Sequence, residues 1–158
     1  MHSTAITRKS VSRPMRWIRD NVLLEPMRIL HYGEGRAYFD TLALSKGSIY
    51  PVEVYEPHPA EDEPWKKDVP LGYFDLCVSI YVLNTLVPSE REFVIWQMTN
   101  KADRVIAAVR TDKINGHPMF DGVITSRNTF QKSFSRSECE ELGRVLTYNS
   151  SFAIIDLY

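Results

Sequence analysis

The chain has 158 residues, of which 44% are hydrophobic and 25% are charged, and its formal net charge at pH 7 is -1. This composition excludes a disordered polymer, and the length predicts a single domain over residues 1–158, with a flexible polar segment at 1–12. No apolar run is long enough to span a bilayer, so we expect a cytoplasmic location. Two distant cysteines predict free thiols, and four scattered histidines predict no metal site.

Turn residues and the spacing of apolar residues divide the chain into alternating strands and helices. The predicted strands cover residues 28–32, 49–56, 74–80, 104–109 and 151–157. The predicted helices cover residues 14–24 and 90–102, with a short helix after the first strand and another before the last. This order predicts an α/β, Rossmann-like fold, with a central, mostly parallel sheet and helices on both faces.

Two capping boxes mark predicted helix starts. Ser89 with Glu92, and Ser135 with Glu138, have the Ser-x-x-Glu spacing in which both side chains satisfy backbone N–H groups at the start of a helix. Apolar residues after the second box recur on one helical face: Cys139, Leu142 and Leu146.

A glycine turn between the first predicted strand and the next helix is the strongest functional signal. Gly33 and Gly35 directly follow the apolar run 28–32. Glycine permits a tight turn close to a ligand, and the helix start behind it presents unpaired N–H groups. The second strand ends at Glu56, about 20 residues further on, which is the spacing of a ribose-binding carboxylate. The pattern predicts a nucleotide-cofactor site at the carboxyl ends of the strands.

The turn departs from the dinucleotide fingerprint because Tyr38 stands where the third glycine is required. A nicotinamide-dependent oxidoreductase is therefore the weakest hypothesis. A shorter glycine turn with an acid after the second strand is typical of S-adenosylmethionine binding, in which Glu56 accepts hydrogen bonds from the ribose hydroxyls.

Five segments carry a resemblance over nearly the whole chain: residues 5–14 (AITRKSVSRP), 31–36 (HYGEGR), 55–57 (YEP), 81–84 (YVLN) and 121–132 (DGVITSRNTFQK). Together, and in this order, they resemble the family of methyltransferases associated with DNA phosphorothioation. The resemblance implies a reduced class I methyltransferase fold, S-adenosylmethionine as cofactor, and a link to DNA modification or phage defence. Members of that family often carry additional C-terminal sequence.

The predicted cofactor-binding residues follow from this resemblance and from the strand ends. They are His31, Tyr32, Gly33, Glu34, Gly35, Glu56, Ser79 and Tyr81. The first family motif usually reads Asp-Tyr-Gly-Cys-Gly-x-Gly, whereas this chain has His31, Glu34 and Ala37 in place of its aspartate, its cysteine and its last glycine. Alanine at 37 requires a negative φ, and Glu34 is the acid available to replace the missing aspartate.

The sequence contains fewer indications of the acceptor site than of the cofactor site. Neither an Asn/Asp-Pro-Pro-Tyr motif nor a Pro-Cys nucleophile follows the strands, so base flipping has no direct support. The candidate catalytic residues are Asn84 and Lys132. Basic residues are concentrated in residues 8–28 and 104–136, and if these two segments meet on one face they would bind phosphates of a nucleic-acid partner. The alternative is that both segments carry ordinary solvated surface charges. The predicted substrate-binding residues are Arg13, Arg127, Thr129, Phe130, Gln131 and Lys132.

Two functions fit these residues better than the oxidoreductase. The first is a methyltransferase that positions an electrophilic methyl group beside its acceptor without a covalent intermediate. The second is a catalytically degenerate module that binds S-adenosylmethionine or nucleic acid within a DNA-modification or anti-defence complex. The replacements at His31 and Ala37 are compatible with this second function.

Overall fold

The structure, a computed structural model, describes residues 8–22, 27–46, 48 and 50–157. Its helices are α1 (Arg13–Asn21), α2 (Tyr38–Ser45), α3 (Pro88–Thr99) and α4 (Arg136–Leu142), with two short 3-10 helices at Pro64–Lys67 and Leu83–Thr85. The strands of the larger sheet are β1 (Ile29–Tyr32), β2 (Glu53–Tyr55), β3 (Phe74–Ile80), β4 (Ala102–Arg110), β8 (Gly143–Tyr148) and β9 (Phe152–Leu157). A smaller sheet contains β5 (His117–Met119), β6 (Gly122–Ile124) and β7 (Phe130–Gln131).

The larger sheet has the strand order β2-β1-β3-β4-β9-β8. The first four strands are parallel, and β9 lies antiparallel to both β4 and β8. The chain adds β2 on one side of β1 and then places β3 on the other side, so the strand order reverses at β1. After β1 and after β3 the chain therefore turns in opposite directions, and a crevice opens between the carboxyl ends of these two strands.

Helices cover both faces of this sheet, as predicted. On one face, Val94 and Met98 of α3 pack with Cys139 of α4. On the other, Met15 and Ile18 of α1 pack with residues of α2. The central strand β4 alternates between these two cores, which explains why residues 105–109 are all buried and apolar. The predicted mostly parallel α/β fold is confirmed.

The helix starts show where local sequence signals succeed and fail. The capping box at Ser135 is confirmed, because its side chain and that of Glu138 satisfy each other's backbone N–H groups. The box predicted at Ser89 is wrong. Helix α3 begins at Pro88 after the cap residue Val87, since proline has a helical φ and no N–H to satisfy.

Two other expectations need correction. Leu146 lies in β8, not on a helix, because α4 ends at Leu142 and the chain turns directly into the strand. The second predicted strand is shorter than expected, since only Glu53–Tyr55 pairs with β1. The smaller sheet was not predicted at all. Residues 1–7, 23–24, 49 and 158 of the predicted elements lie outside the described residues.

Within the described part, no helix is both long and apolar enough to cross a membrane. The described residues also contain no group of three or more His, Cys, Asp or Glu side chains arranged to hold a metal ion. Both cysteines are free and buried, and burial raises the pKa of Cys139 to about 11.

Candidate functional site

A cleft of about 1520 Å³ lies at the carboxyl ends of the parallel strands. Its walls come from the turn after β1, the end of β2, the segment after β3 and the smaller sheet. Open α/β sheets bind ligands at this position, where the strand order reverses. Most of the predicted site residues line it: His31, Tyr32, Gly33, Glu34, Gly35, Glu56, Tyr81, Asn84, Arg127, Thr129, Phe130 and Gln131.

Three predicted site residues are not part of the cleft walls. Ser79 is buried within β3, and its hydroxyl has no hydrogen-bond partner among the described residues. Arg13 is exposed at the start of α1, with Nη1 3.5 Å from Oγ of Ser151 and its guanidinium 5.6 Å from the ring centre of Phe152. Lys132 is buried beyond the end of β7.

The turn after β1 has the backbone geometry that its glycines permit. Gly33 and Gly35 have φ values of 73° and 58°, and a Cβ at Gly33 would overlap Cγ2 of Val82. The N–H of Gly33 donates to the carbonyl oxygen of Tyr55 at 2.7 Å, which ties the turn to the end of β2. At Ala37 φ is -84°, so alanine occupies this position without strain.

Glu56 connects the end of β2 with the glycine turn. Its Oε2 accepts a hydrogen bond from the N–H of Gly35 at 2.9 Å, and its Oε1 accepts one from the N–H of His58 at 3.0 Å. Two backbone donors thus fix the carboxylate at the cleft wall. Each carboxylate oxygen has more than one acceptor direction, so Glu56 keeps capacity for hydroxyl donors of a ligand.

A buried ion pair lies directly behind the turn. Glu34 is 5% exposed and forms an ion pair with Lys66, whose ammonium also contacts Glu63 at 2.6 Å and donates to the carbonyl oxygen of Gly35 at 3.0 Å. The hydroxyl of Thr41 donates to the same Glu34 carboxylate. Burial lowers the pKa of Lys66, but its hydrogen bonds to the two glutamates outweigh this effect and raise the pKa above its usual value. The charge of Glu34 is therefore already compensated.

His31 is held in one tautomer by its neighbours. Its Nδ1 lies 2.8 Å from Oγ1 of Thr41. Because the only hydroxyl hydrogen of Thr41 is donated to Glu34, Nδ1 must carry the hydrogen of this bond. Burial lowers the pKa of His31, and the carboxylates of Glu34 and Asp40 offset this effect only in part. The imidazole is therefore neutral near pH 7.

Tyr81 and Asn84 form the wall that follows β3. Tyr81 has a φ of 59°, and its N–H donates to the carbonyl oxygen of Ala108 at 2.9 Å. Asn84 donates from Nδ2 to Oε1 of Gln131 at 3.0 Å, which joins this wall to the smaller sheet. Its own Oδ1 is buried and has no partner among the described residues. A buried acceptor of this kind needs a donor, and a ligand in the cleft is able to supply one.

Lys132 belongs to a charge network next to β7. Its ammonium forms an ion pair with Glu138 and lies 3.6 Å from Oδ2 of Asp121. Asp121 also accepts two hydrogen bonds from the guanidinium of Arg91, at 2.7 and 3.2 Å. Burial opposes ionisation of Asp121 and Glu138, but these cations, together with hydrogen bonds from Ser135 to Glu138, outweigh it and lower the pKa of both carboxyls. The ammonium of Lys132 is thus engaged by two carboxylates.

The structure adds site residues that the sequence analysis did not single out. Arg8, Arg110 and Asp112 line the cleft, and Lys66 supports the glycine turn from behind. Arg8 lies in residues 5–14, the first segment of the resemblance, and this position is the sequence feature that could have indicated it as a site residue. Lys66 stands in a polar stretch in which nothing distinguishes it from its exposed neighbour Lys67.

No protein-family model and no curated protein matches the sequence, but several solved structures match the fold. The structure is similar to 1,6-didemethyltoxoflavin-N1-methyltransferase of Burkholderia thailandensis, crystallised with 1,6-didemethyltoxoflavin and S-adenosylhomocysteine. The TM-score is 0.66 at 14% identity, over 92% of this chain and 76% of that one.

Two further structures have the same fold. The S-adenosylhomocysteine complex of PigF matches with a TM-score of 0.56 at 11% identity, over 91% of this chain and 54% of that one. Magnesium protoporphyrin IX methyltransferase of Synechocystis PCC 6803, also with bound S-adenosylhomocysteine, matches with a TM-score of 0.52 at 16% identity, over 90% and 78%. The chain therefore has the mixed α/β fold of class I S-adenosylmethionine-dependent methyltransferases.

Proposed function

We propose that the protein is an S-adenosylmethionine-dependent methyltransferase. The observation that carries this proposal is the position of the Glu56 carboxylate, 2.9 Å from the N–H of Gly35 at the cleft where the strand order reverses. The three similar methyltransferase-fold proteins were crystallised with S-adenosylhomocysteine, which supports the same cofactor class here.

The described residues fit this cofactor. Glu56 accepts hydrogen bonds from the ribose hydroxyls, and the turn at Gly33 and Gly35 allows the ligand to approach the main chain closely. Asn84 offers a buried oxygen without a described partner at the same cleft. When bound, S-adenosylmethionine supplies an electrophilic methyl group.

In the proposed reaction the acceptor is held beside the electrophilic methyl group of the cofactor, and no residue forms a covalent intermediate. The chain orients the two reactants in a shared cleft, and this orientation lowers the entropic cost of the transfer. Asn84 remains the better candidate for contact with the acceptor, since it lines the cleft. We assign Lys132 a positioning role, because its ammonium is held by Glu138 and Asp121 and its N–H donates to the carbonyl oxygen of Asn84 at 2.7 Å.

We further propose that the acceptor is DNA and that the protein belongs with the methyltransferases associated with DNA phosphorothioation. The five-segment resemblance supports this assignment. The cationic side chains of Arg8, Arg110 and Arg127 at the cleft are compatible with a phosphate-bearing acceptor.

A second candidate function is a module that binds the cofactor without catalysis. It is favoured by the ion pair between Glu34 and Lys66, because Glu34 is the acid available to take the role of the motif's aspartate, whose own position is occupied by His31. An acid already neutralised by a lysine has less charge to offer to the cofactor's amino group.

One set of measurements separates these functions. Isothermal titration calorimetry with S-adenosylhomocysteine tests the shared requirement, and transfer of tritiated methyl groups from S-adenosylmethionine to duplex and single-stranded DNA tests catalysis. Binding with transfer supports the methyltransferase and its DNA acceptor. Binding without transfer to any nucleic acid supports the module, and the absence of binding contradicts both.

A further inference from the structure

Tyr81, which lines the cleft, has one arginine over its ring and interacts electrostatically with three further charged residues. We call these four charged residues the Arg8 cluster and define it as Arg8, Arg13, Arg110 and Asp112. Arg8, Tyr81, Arg110 and Asp112 line the cleft itself, and Arg13 contacts Ser151, which also lines it. The four charged residues come from the segment before α1, from α1 and from the end of β4, so the fold assembles the cluster from distant parts of the chain.

Each member of the cluster has a defined contact. The guanidinium carbon of Arg8 lies 5.4 Å from the ring centre of Tyr81. Arg110 forms two hydrogen bonds with Asp112, at 2.9 and 2.6 Å, and these raise the pKa of its guanidinium. Nη1 of Arg13 lies 3.5 Å from Oγ of Ser151. A planar cation stacked on an aromatic ring keeps its N–H edge available for a ligand.

The charges in the cluster do not balance. The cluster contains three guanidinium groups and one carboxylate, and that carboxylate forms its ion pair with Arg110. Within residues 8–22, 27–46, 48 and 50–157, neither Arg8 nor Arg13 forms an ion pair with a carboxylate. A half-buried arginine in a cleft attracts an anion, and the guanidinium fork binds a carboxylate or a phosphate with two parallel hydrogen bonds.

We propose that the Arg8 cluster is an anion-binding subsite that receives a carboxylate or phosphate group of a bound ligand. The proposal rests on the proposed function, because it assigns part of the same cleft. The anion has two possible sources that share this chemistry. It belongs either to the acceptor or to the amino-acid part of the cofactor.

The variant R8Q tests the subsite with three ligands measured by isothermal titration calorimetry. S-Adenosylhomocysteine carries the amino-acid carboxylate, 5′-methylthioadenosine has the nucleoside without it, and inorganic pyrophosphate supplies an anion alone. R16Q is the matched control, because Arg16 is an exposed arginine of α1 outside the cleft. Far-UV circular dichroism and thermal unfolding of both variants establish that they fold.

Two results support the proposal and identify the source of the anion. If the cofactor supplies it, R8Q weakens binding of S-adenosylhomocysteine about 10-fold or more and leaves 5′-methylthioadenosine unchanged. If the acceptor supplies it, both adenosine ligands bind R8Q normally and pyrophosphate binding falls by a similar factor. In either case D112N tightens binding of the affected ligand, because it frees Arg110.

Other results overturn the proposal. It fails if R8Q and R16Q bind all three ligands equally, or if R8Q weakens 5′-methylthioadenosine as much as S-adenosylhomocysteine. Failure of the proposed function gives a different set of binding results from failure of the anion subsite. In that case wild-type protein binds neither adenosine ligand, whereas pyrophosphate binding that depends on Arg8 would still establish the anion subsite.

Discussion

At the scale of single residues, Glu56 is the side chain on which cofactor affinity should depend most. We expect E56Q to bind S-adenosylhomocysteine about 10- to 100-fold more weakly, since hydrogen bonds to a charged group contribute about 1.5–3 kcal/mol. E53Q makes the same substitution three residues earlier, in β2, where Glu53 pairs with Arg28 at 3.4 Å outside the cleft. Equal affinities of E56Q and wild type by calorimetry would remove Glu56 from the site.

The ion pair behind the glycine turn should be important for stability. K66M leaves the Glu34 carboxylate buried without its cation, so we expect a loss of about 3 kcal/mol in the free energy of unfolding, measured with urea. The double variant E34Q/K66M should recover part of this loss, because no charge is then left unpaired. K67M is the control, since Lys67 is exposed. A K66M protein as stable as K67M would show that the pair contributes nothing.

His31 should make stability depend on pH. Its pKa is lowered in the folded protein by burial, so below about pH 6.5 the unfolded chain binds a proton that the folded chain does not. Stability is therefore lost as pH falls from about 6.5 towards the folded pKa, by at most about 1.4 kcal/mol per pH unit. Urea unfolding between pH 5 and 7.5 should show a flatter profile for H31Q than for H117Q, which changes an exposed histidine. Parallel profiles for the two variants would contradict the prediction.

At the scale of helices, the two serine boxes give a matched pair. S135A removes the hydroxyl that accepts from the N–H of Glu138 at the start of α4, and we expect it to cost about 1 kcal/mol. S89A should change stability by less than about 0.5 kcal/mol, because Ser89 is exposed within α3 and Val87 is the cap residue. The same serine-to-alanine change is thus predicted to have different effects at two similar sequences. Equal losses in thermal or urea unfolding would contradict the cap assignment.

The sequence predicted those elements whose signals are local. Continuous apolar runs indicated the buried parallel strands, and the glycines indicated the turn after β1, because backbone sterics need no tertiary information. Leu146 fitted a helical period but lies in β8, since pairing with β9 overrides the periodicity of a few residues. The strands of the smaller sheet escaped prediction because they contain only two or three residues each.

The candidate site was predictable to a similar degree. Glu56 and the glycines follow from the spacing along one βαβ unit. Lys66 and Arg8 do not, because a lysine or arginine shows its partner only when the fold brings distant segments together. The burial of Lys132 beside Glu138 is likewise a tertiary property, and the motif alone gave no indication of it.

At the scale of the whole molecule, the fold places a large cleft at the point where the strand order reverses. Separate apolar cores on the two faces of the sheet hold the strands whose ends form this cleft. A ligand that binds only the folded chain stabilises it by mass action, so S-adenosylhomocysteine should also raise the unfolding temperature.

The most direct test of the account is a map of S-adenosylhomocysteine binding on the isotope-labelled protein, recorded as backbone amide chemical shifts. We expect the largest changes at the amides of Gly33, Gly35 and Tyr81, because these residues line the cleft. Amides of α4 and β8, such as those of Cys139 and Arg144, should stay unchanged. A spectrum that does not change at millimolar ligand, or changes centred on α4 and β8, would contradict the proposed cofactor site.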